Sequence, residues 1–328
     1  MTSTSKPLLS RVAESVYWMA RYIERAENVA RFVGVNLHLR IDLPQGDING
    51  WQALIDTSGD AAVFLERYRA ATPEHVLEFL VFDTQNRNSI LSCVRSAREN
   101  ARSVRETISS EMWEEINSFH LMLFNESVRP GPDSLPEFFQ RMRRSCHLFQ
   151  GITDATMTHN EAWHFIQLGR ELERADKTTR LLDVKYFILL PSASDVGTPY
   201  DDIQWSAVLK SVSGFEMYRK AHGRIVPVRI VEFLLLDSDF PRAVSHCVAA
   251  ADRSLHAITG TPPGSYSCAS EQRMGLLRSD LAYAQVEAIL AGGLHEFLDG
   301  LQAKMNRIDE CILEDFFARR AVSTVARA

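Results

Sequence analysis

Apolar side chains recur at every third or fourth position along the first forty residues of the chain. The stripe that they form consists of Val12, Val16, Met19, Ile23, Ala26, Ala30, Val33 and Leu37. This spacing predicts a long α-helix that packs against other helices. The segment LPQGD at 43–47 should end that helix, because proline cannot donate to the helical hydrogen-bond ladder and glycine favours a turn.

Helical patterns of the same kind fill the rest of the chain. Thr72 and Pro73 read as an N-terminal cap, and residues 89–126 carry a helical seam with neither glycine nor proline. The remaining helices are expected at 51–69 with a break at 58–60, 135–149, 165–186, 239–258, 270–291 and 294–319. No segment shows a convincing alternation of β-branched residues, so the expected fold class is all-α.

The second half of the chain repeats the first. A displacement of 149 residues takes RYIERAE (21–27) onto RELERAD (170–176). After a five-residue insertion, a displacement of 154 takes Trp51 onto Trp205. An ordered series of matches at nearly constant displacement is typical of internal duplication. We therefore expect a helical bundle formed by two internally duplicated helical repeats, residues 1–150 and 151–328, packed as one globular unit.

Composition indicates the cellular compartment of the protein and argues against nucleic acid as a partner. The chain has 328 residues, is 45% apolar, and carries a formal net charge of −6. It can bury a sizeable core, and it lacks the basic field that drives non-specific nucleic-acid binding. Its five cysteines are scattered without a C-x-x-C pair, which indicates a reducing cytoplasm. No segment resembles a signal peptide or a transmembrane helix, so we expect a cytoplasmic protein without membrane contact.

Two matching motifs are the strongest candidates for chemistry. Glu24-Arg25 recurs as Glu173-Arg174, and each glutamate has an arginine three residues before it and seven after it. These flanking arginines are Arg21, Arg31, Arg170 and Arg180. On a helix, the flanking arginines share one stripe with the glutamate, since three, seven and ten residues are close to whole turns.

The two motifs allow three interpretations. Reciprocal buried Glu-Arg pairs would lock two related helices together, because enclosed charges persist only when they are paired. Alternatively, Glu24, Arg25, Glu173 and Arg174 would form a catalytic site. In that case the flanking arginines would bind a carboxylate or phosphate, and a glutamate would act as general base. A plain solvated surface is the third interpretation.

Metal and cofactor sites are not indicated. Glu161 and His164 make one E-x-x-H step of the kind found in di-iron bundles, but such bundles need two and the sequence has no second. No Gly-rich phosphate loop and no recognisable nucleophile motif occur. We therefore expect no metal, no cofactor and no autonomous nucleotide-dependent activity.

Seven motifs follow one another along the chain: LSRVAES (9–15), YWM (17–19), RYIERAEN (21–28), ARENAR (97–102), SEMWE (110–114), GRELERADKTTRLLDVK (169–185) and FLLLD (233–237). In this order they resemble the bacterial alpha-E family, a helical domain named for its Glu-Arg motif. The resemblance covers nearly the whole chain. Arg87 departs from it, because the family pattern leads us to expect a proline there.

The resemblance implies a role but no reaction. Members of the family are similar in being encoded beside, or fused to, ATP-grasp-type ligases and transglutaminase-like peptidases, which suggests a system that makes or modifies peptides. Our first hypothesis is an accessory or scaffold protein that acts with these two partners. The alternative is an enzyme that acts on amide or acyl substrates with the paired Glu-Arg motifs as its active site. The sequence leaves homo-oligomerisation open.

Overall fold

The computed structural model describes residues 8–42, 49–125, 130–187 and 199–318, and within these ranges it contains helices but no β-strand. The first half comprises α1 (Ser10–Asp42), α2 (Asn49–Ser58), α3 (Ala61–Arg67), α4 (Pro73–Leu77), α5 (Ile90–Ser103), α6 (Ser110–Asn125) and α7 (Leu135–Thr156). The second half comprises α8 (Glu161–Phe187), α9 (Pro199–Ser211), α10 (Phe215–His222), α11 (Pro227–Leu236), α12 (Val244–Thr259), α13 (Ala269–Ala282), α14 (Val286–Gly292) and α15 (Leu294–Ile312). The predicted all-α class is confirmed.

Helix α1 is enclosed by other helices. The predicted apolar stripe from Val12 to Val33 is buried, and α1 packs against α5, α7 and α8. Tyr17, Ala20 and Val29 lie off that stripe and are buried as well. Because apolar contacts surround α1, the polar residues of its middle turns are removed from water together with the apolar ones.

Helix α8 of the second half is likewise enclosed by other helices. It packs against α1, α12 and α15, and its predicted stripe is buried from Phe165 to Leu182. The α1–α8 crossing is close at Gly169, where an added Cβ atom would lie 2.5 Å from the backbone oxygen of Tyr17. Only a residue without a side chain allows this approach. Buried residues of both halves belong to one continuous hydrophobic cluster.

One predicted helix break and one predicted cap are confirmed. The helical segment that starts near Trp51 is interrupted at Gly59, whose φ of 81° suits a residue without a Cβ atom. The Thr72 side chain accepts a hydrogen bond from the backbone nitrogen of His75 at 3.3 Å, as expected of an N-terminal cap. The predicted helix stop at 43–47 lies outside the described residues.

The prediction of a continuous helical seam over 89–126 is wrong. Helix α5 ends at Ser103 and α6 begins at Ser110, although Val104 and Ile108 remain buried between them. The Ser109 hydroxyl accepts a hydrogen bond from the backbone nitrogen of Met112 at 3.2 Å. A serine that caps a new helix in this way competes with continuation of the previous one.

Two boundaries in the second half also differ from the prediction. The helix expected from residue 239 begins at Val244, because Asp237 Oδ1 accepts hydrogen bonds from the backbone nitrogens of Asp239 and Phe240 and holds a turn there. The helix expected over 270–291 is divided into α13 and α14. The extended backbone of Gln285, with φ −121° and ψ 131°, separates the two.

Candidate functional site: two reciprocal glutamate–arginine centres

The two Glu-Arg motifs meet where α1 and α8 pack together. Glu24 and Arg25 lie in the middle of α1, and Glu173 and Arg174 lie in the middle of α8. Glu24 is 0% exposed and Glu173 is 1% exposed. Helical periodicity alone would leave these charges on a flank of each helix, and the crossing of the two helices encloses that flank.

In the first centre, Glu24 of α1 is bound by Arg174 of α8. Arg174 donates from Nε to Oε1 at 3.0 Å and from Nη2 to Oε2 at 2.8 Å. Arg242 Nη1 donates to Oε1 at 2.9 Å, and Gln150 Nε2 donates to Oε2 at 3.1 Å. The Asn28 amide also donates to Oε1 at 3.1 Å. Both carboxylate oxygens of Glu24 are therefore fully engaged.

In the second centre, the roles of the two helices are exchanged. Glu173 of α8 is bound by Arg25 of α1, from Nε to Oε1 at 2.7 Å and from Nη2 to Oε2 at 2.8 Å. Arg21 Nε donates to Oε2 at 3.0 Å, and Lys177 Nζ lies 3.9 Å from Oε1. Each glutamate is thus held by the two-pronged guanidinium of the other helix, the strongest geometry for a carboxylate–arginine pair.

The arginines keep both glutamates ionised. Burial by itself would raise the pKa of Glu24, but Arg174 and Arg242 outweigh it and hold the pKa below its usual range. Burial likewise opposes ionisation of Glu173, and Arg25 and Arg21 hold its pKa well below the usual range. A general base works best when its pKa lies near the working pH. These two carboxylates are accordingly poor proton acceptors near neutrality.

The first centre extends towards the surface through Glu27. This buried glutamate pairs with Arg242 and with Arg31, and its Oε1 lies 3.1 Å from His147 Nε2. Burial opposes ionisation of Glu27, yet Arg242 and the His147 hydrogen bond hold its pKa well below the usual range. The His147 side chain is 55% exposed. The first centre therefore reaches the solvent at His147.

The four flanking arginines are not arranged around one common binding site. Arg21 donates to Asp309 Oδ2 at 2.5 Å as well as to Glu173. Arg31 binds Glu27 and the Ser213 hydroxyl, and Arg180 binds Asp176 at 2.8 Å. Arg170 lies outside both centres. Its contacts are with Gln167, Glu171 and Asp154.

Arg242 and Asp309 belong to the network but were missing from the sequence-based candidates. Arg242 precedes α12 and Asp309 lies on α15, each far along the chain from both motifs. Neither stands in a Glu-Arg motif, so the local sequence carries no signal for it. Their role follows from the packing of α12 and α15 against α8.

Within the described ranges, one group of side chains is spaced to hold a metal ion. It consists of Asp183, His295 and Asp299, whose ligand atoms lie within 4.8 Å of one another. His295 Nδ1 already lies 2.7 Å from Asp183 Oδ1. In the E-x-x-H step, Glu161 Oε2 accepts a hydrogen bond from the backbone nitrogen of Leu8 at 2.9 Å. No described helix is long and apolar enough to cross a membrane.

The fold and this site define an all-α protein in which two Glu-Arg motifs, one on each of two packed helices, bind each other. The sequence profile of the Alpha-E family, described as a predicted alpha-helical domain with a conserved ER motif, matches residues 8–317. The chain therefore belongs to the Alpha-E family, and the resemblance found in the sequence is confirmed.

The curated relatives are uncharacterised mycobacterial proteins. One from Mycobacterium bovis and two from strains of Mycobacterium tuberculosis are each 22% identical to this chain over 331 residues. The alignments cover 92% of this chain but only 36% of each relative. The chain therefore spans about a third of the length of the curated relatives it matches. No solved structure is significantly similar to it.

Proposed function

We propose that the protein is a non-catalytic helical accessory or scaffold subunit of a peptide-ligation or peptide-modification system, acting with an ATP-grasp-type ligase and a transglutaminase-like peptidase. One observation carries the non-catalytic part of the proposal. The charged groups that would perform catalysis bind each other across the α1–α8 crossing. The choice of partners rests on the family resemblance alone.

The electrostatics of the two centres support a structural role. Glu24 and Glu173 have lowered pKa values, so they stay ionised and do not take up a proton near neutral pH. The two-pronged donor faces of Arg25 and Arg174 are directed at these glutamates. A substrate anion would have to displace a buried carboxylate to reach either guanidinium, which would leave that carboxylate unpaired at a cost of several kcal/mol.

The length of the relatives supports a role in association with other domains or subunits. In each mycobacterial relative, the region that matches this chain is a minor part of a longer polypeptide. A helical unit that is joined to other regions in one protein can associate with separate subunits in another. The proposal places this protein in the cytoplasm, where its five free cysteines are compatible with a reducing environment.

We also infer that the two halves arose by internal duplication, and matching contacts support this inference. Arg31 of α1 binds the Ser213 hydroxyl in the second half. Arg180 of α8, displaced by 149 residues from Arg31, lies against Gly59 in the first half. Gly59 and Ser213 are displaced by 154 residues, and both have positive φ values, 81° and 53°. Each half therefore contributes one arginine that contacts a tight turn of the other half.

Affinity capture tests the accessory role. A tagged full-length chain, expressed at native level in the source cells, is expected to recover an ATP-grasp-type ligase or a transglutaminase-like peptidase. The tag alone and the destabilised Glu24→Gln variant serve as controls, because a scaffold must be folded to hold its partners. Capture of neither enzyme by the wild-type chain would contradict the proposal.

A pair of substitutions separates the structural role from the enzymatic alternative. Glu24→Gln and Glu173→Gln each leave buried arginines without their charged partner, so each should lower the free energy of unfolding by about 3–5 kcal/mol. Denaturant unfolding measures the loss. The matched control is Glu99→Gln, since Glu99 is 44% exposed in its pairs with Arg98 and Arg102, and it should cost less than about 1 kcal/mol. Variants of normal stability that abolish the activity of the system would favour an active site.

A further inference from the structure

An open cleft lies between α1 and α5, and none of its lining residues belongs to either Glu-Arg centre. It contains about 550 Å³ of space accessible to water, which is within the range of small-molecule sites. Trp18 and Tyr22 of α1 line it and are half-buried, with ring centroids 5.7 Å apart. These two rings form an aromatic surface inside the cleft.

The second centre holds this aromatic surface in position. The Arg21 guanidinium lies 5.1 Å from the centroid of the Trp18 ring, and the Arg25 guanidinium lies 5.9 Å from that of Tyr22. Cations at such distances are attracted to aromatic rings. Both arginines are also bound to the buried carboxylate of Glu173. The two rings therefore pack against arginines that are themselves fixed in the folded protein.

Two charged side chains of the cleft have no counter-ion. Glu14 of α1 and Arg95 of α5 line it, and neither makes an ion pair or a hydrogen bond with the described part of the chain. The third charged lining residue, Glu99, differs because Arg98 and Arg102 pair with it. The cleft therefore offers a ligand one available carboxylate and one available guanidinium.

Helices α1 and α5 run in opposite directions along the cleft. At one end, the Ser103 hydroxyl donates a hydrogen bond to the Ser15 hydroxyl at 3.2 Å. Further along, Arg25 Nη1 donates to Asn88 Oδ1 at 2.6 Å. The first turns of α1 therefore lie beside the last turn of α5.

This register separates the two available charges. Glu14 precedes Ser15, whereas Arg95 lies eight residues before Ser103. Eight residues correspond to about 12 Å along a helix. Three extended peptide residues span about 10 Å. The carboxylate and the guanidinium thus match the amino and carboxyl termini of a tripeptide in both sign and spacing.

Polar side chains between these two ends suit peptide bonds. Ser96 and Asn100 of α5 line the cleft, and their side chains have no hydrogen-bond partner among the described residues. Every peptide bond carries a carbonyl acceptor, and most carry an N–H donor as well. The Asn100 carboxamide and the Ser96 hydroxyl can each donate and accept. They can therefore bind the backbone of a peptide that lies along α5.

We propose that this cleft binds a tripeptide with free termini. Its ammonium group pairs with Glu14, and its carboxylate pairs with Arg95. The middle side chain contacts the aromatic surface, which favours an apolar or aromatic residue there. Opposite charges at the two ends fix the direction of the bound peptide. The inference goes beyond the accessory role, because it rests on the residues of the cleft and not on the choice of partners.

Titration of the purified full-length chain with Gly-Phe-Gly, followed by ligand-observed NMR, tests the site. Wild-type protein should show saturable binding. The N-acetylated peptide and the C-terminal amide each lack one charge, so each should bind about threefold to tenfold more weakly. Gly-Gly-Gly has no apolar side chain for the aromatic surface and should also bind more weakly.

Two variants assign one end of the peptide each. Glu14→Gln should remove the loss caused by N-acetylation and keep the loss caused by C-terminal amidation, and Arg95→Gln should do the reverse. Both side chains are exposed, so both variants should fold, and thermal melts check this. Glu310→Gln on α15 is the matched control, since it also changes an exposed glutamate and should bind like wild type.

Three outcomes would overturn the proposal. The first is absence of saturable Gly-Phe-Gly binding to wild type, and the second is equal binding of the free and the capped peptides. The third is a folded Glu14→Gln or Arg95→Gln variant that shows the same losses on capping as wild type. None of these outcomes bears on the capture of a ligase or peptidase, so this proposal and the accessory role can fail separately.

Discussion

At the scale of single residues, the second centre shows that several cationic side chains together stabilise one buried carboxylate. Glu173 is 1% exposed, and three cationic side chains lie within 4 Å of its carboxylate. Desolvation of one carboxylate costs several kcal/mol, and only well-aligned hydrogen bonds offset that cost. The ion pair with Arg25 therefore specifies one relative position of α1 and α8, since small displacements would break its two-pronged geometry.

The lowered pKa of Glu173 makes stability depend on acid pH. Its folded-state pKa lies well below its usual range, because Arg25 and Arg21 outweigh the opposing effect of burial. Its stabilising contribution is therefore complete above the unfolded-state pKa of about 4.3 and is lost as the pH falls from there towards the folded-state pKa. Urea unfolding between pH 7 and pH 3 should show wild type losing stability more steeply below about pH 4.5 than Glu173→Gln does.

The control for this acid dependence is Glu99→Gln, which leaves the buried network unchanged and should follow the wild-type curve. Parallel curves for wild type and Glu173→Gln would contradict the prediction. They would mean that protonation of Glu173 costs the folded chain no more than the unfolded chain.

The sequence predicted part of this site. The repeated motif identified Glu24, Arg25, Glu173 and Arg174, and reciprocal pairing was one of its interpretations. It did not identify Arg242, because a lone arginine after proline has no periodic or motif signal. Nor did it predict that Arg170 stands apart. The helical stripe determines on which side of its own helix an arginine lies. The neighbouring helices determine which of these arginines contacts a carboxylate.

At the scale of helices, the crossing of α1 and α8 depends on one glycine. The Cβ atom of an alanine at 169 would lie 2.5 Å from the backbone oxygen of Tyr17 and 3.2 Å from Arg21 Cγ. Backbone atoms cannot move aside as the end of a flexible side chain can. Separation of the two helices at this point would also disturb the contact between Arg21 and Glu173.

Gly169→Ala should therefore destabilise the protein, although alanine is the better helix former. We expect a loss of about 1–3 kcal/mol in the free energy of unfolding, measured with denaturant. Gly151→Ala on α7 is the matched control, because no atom lies within 4 Å of the added Cβ. It should stabilise the protein by about 0.5–1 kcal/mol. Equal effects of the two substitutions would show that the crossing tolerates a methyl group.

Helix type was easier to predict than helix boundaries. The apolar stripe of α1 was read correctly from Val12 to Val33, since burial on one face imposes a period of about 3.6 residues. The same period continues through Val104 and Ile108, where the backbone is not helical. A side-chain cap from Ser109 ends the regularity there without a glycine or a proline. Periodicity reports burial, and it does not detect a cap of this kind.

At the scale of the whole molecule, the network joins the predicted segments 1–150 and 151–328. Glu24 belongs to the first, and its principal partners Arg174 and Arg242 belong to the second. Glu173 depends in the same way on Arg21 and Arg25 of the first. The hydrophobic cluster likewise includes buried residues from both segments. Each segment alone would therefore expose apolar surface and strand buried charges.

We accordingly predict that neither segment folds alone and that the two restore the fold together. Purified 1–150 and 151–328 should each give NMR spectra with narrow amide dispersion, whereas co-expressed segments should form a stable heterodimer with dispersed signals. Glu24→Gln in the first segment should weaken the heterodimer, and Glu99→Gln should not. A well-dispersed spectrum from either isolated segment would contradict the prediction and support two autonomous domains.

The reciprocity of the two centres also has a consequence for synthesis on the ribosome. Arg174 and Arg242 follow Glu24 by 150 and 218 residues, so most of the polypeptide must be translated before this glutamate meets its counter-ions. Until then the Glu24 carboxylate lacks both of the guanidinium groups that hold it in the folded protein. Contacts between such distant positions form late and slowly. The nascent first half must therefore remain incompletely folded until the last partner leaves the exit tunnel.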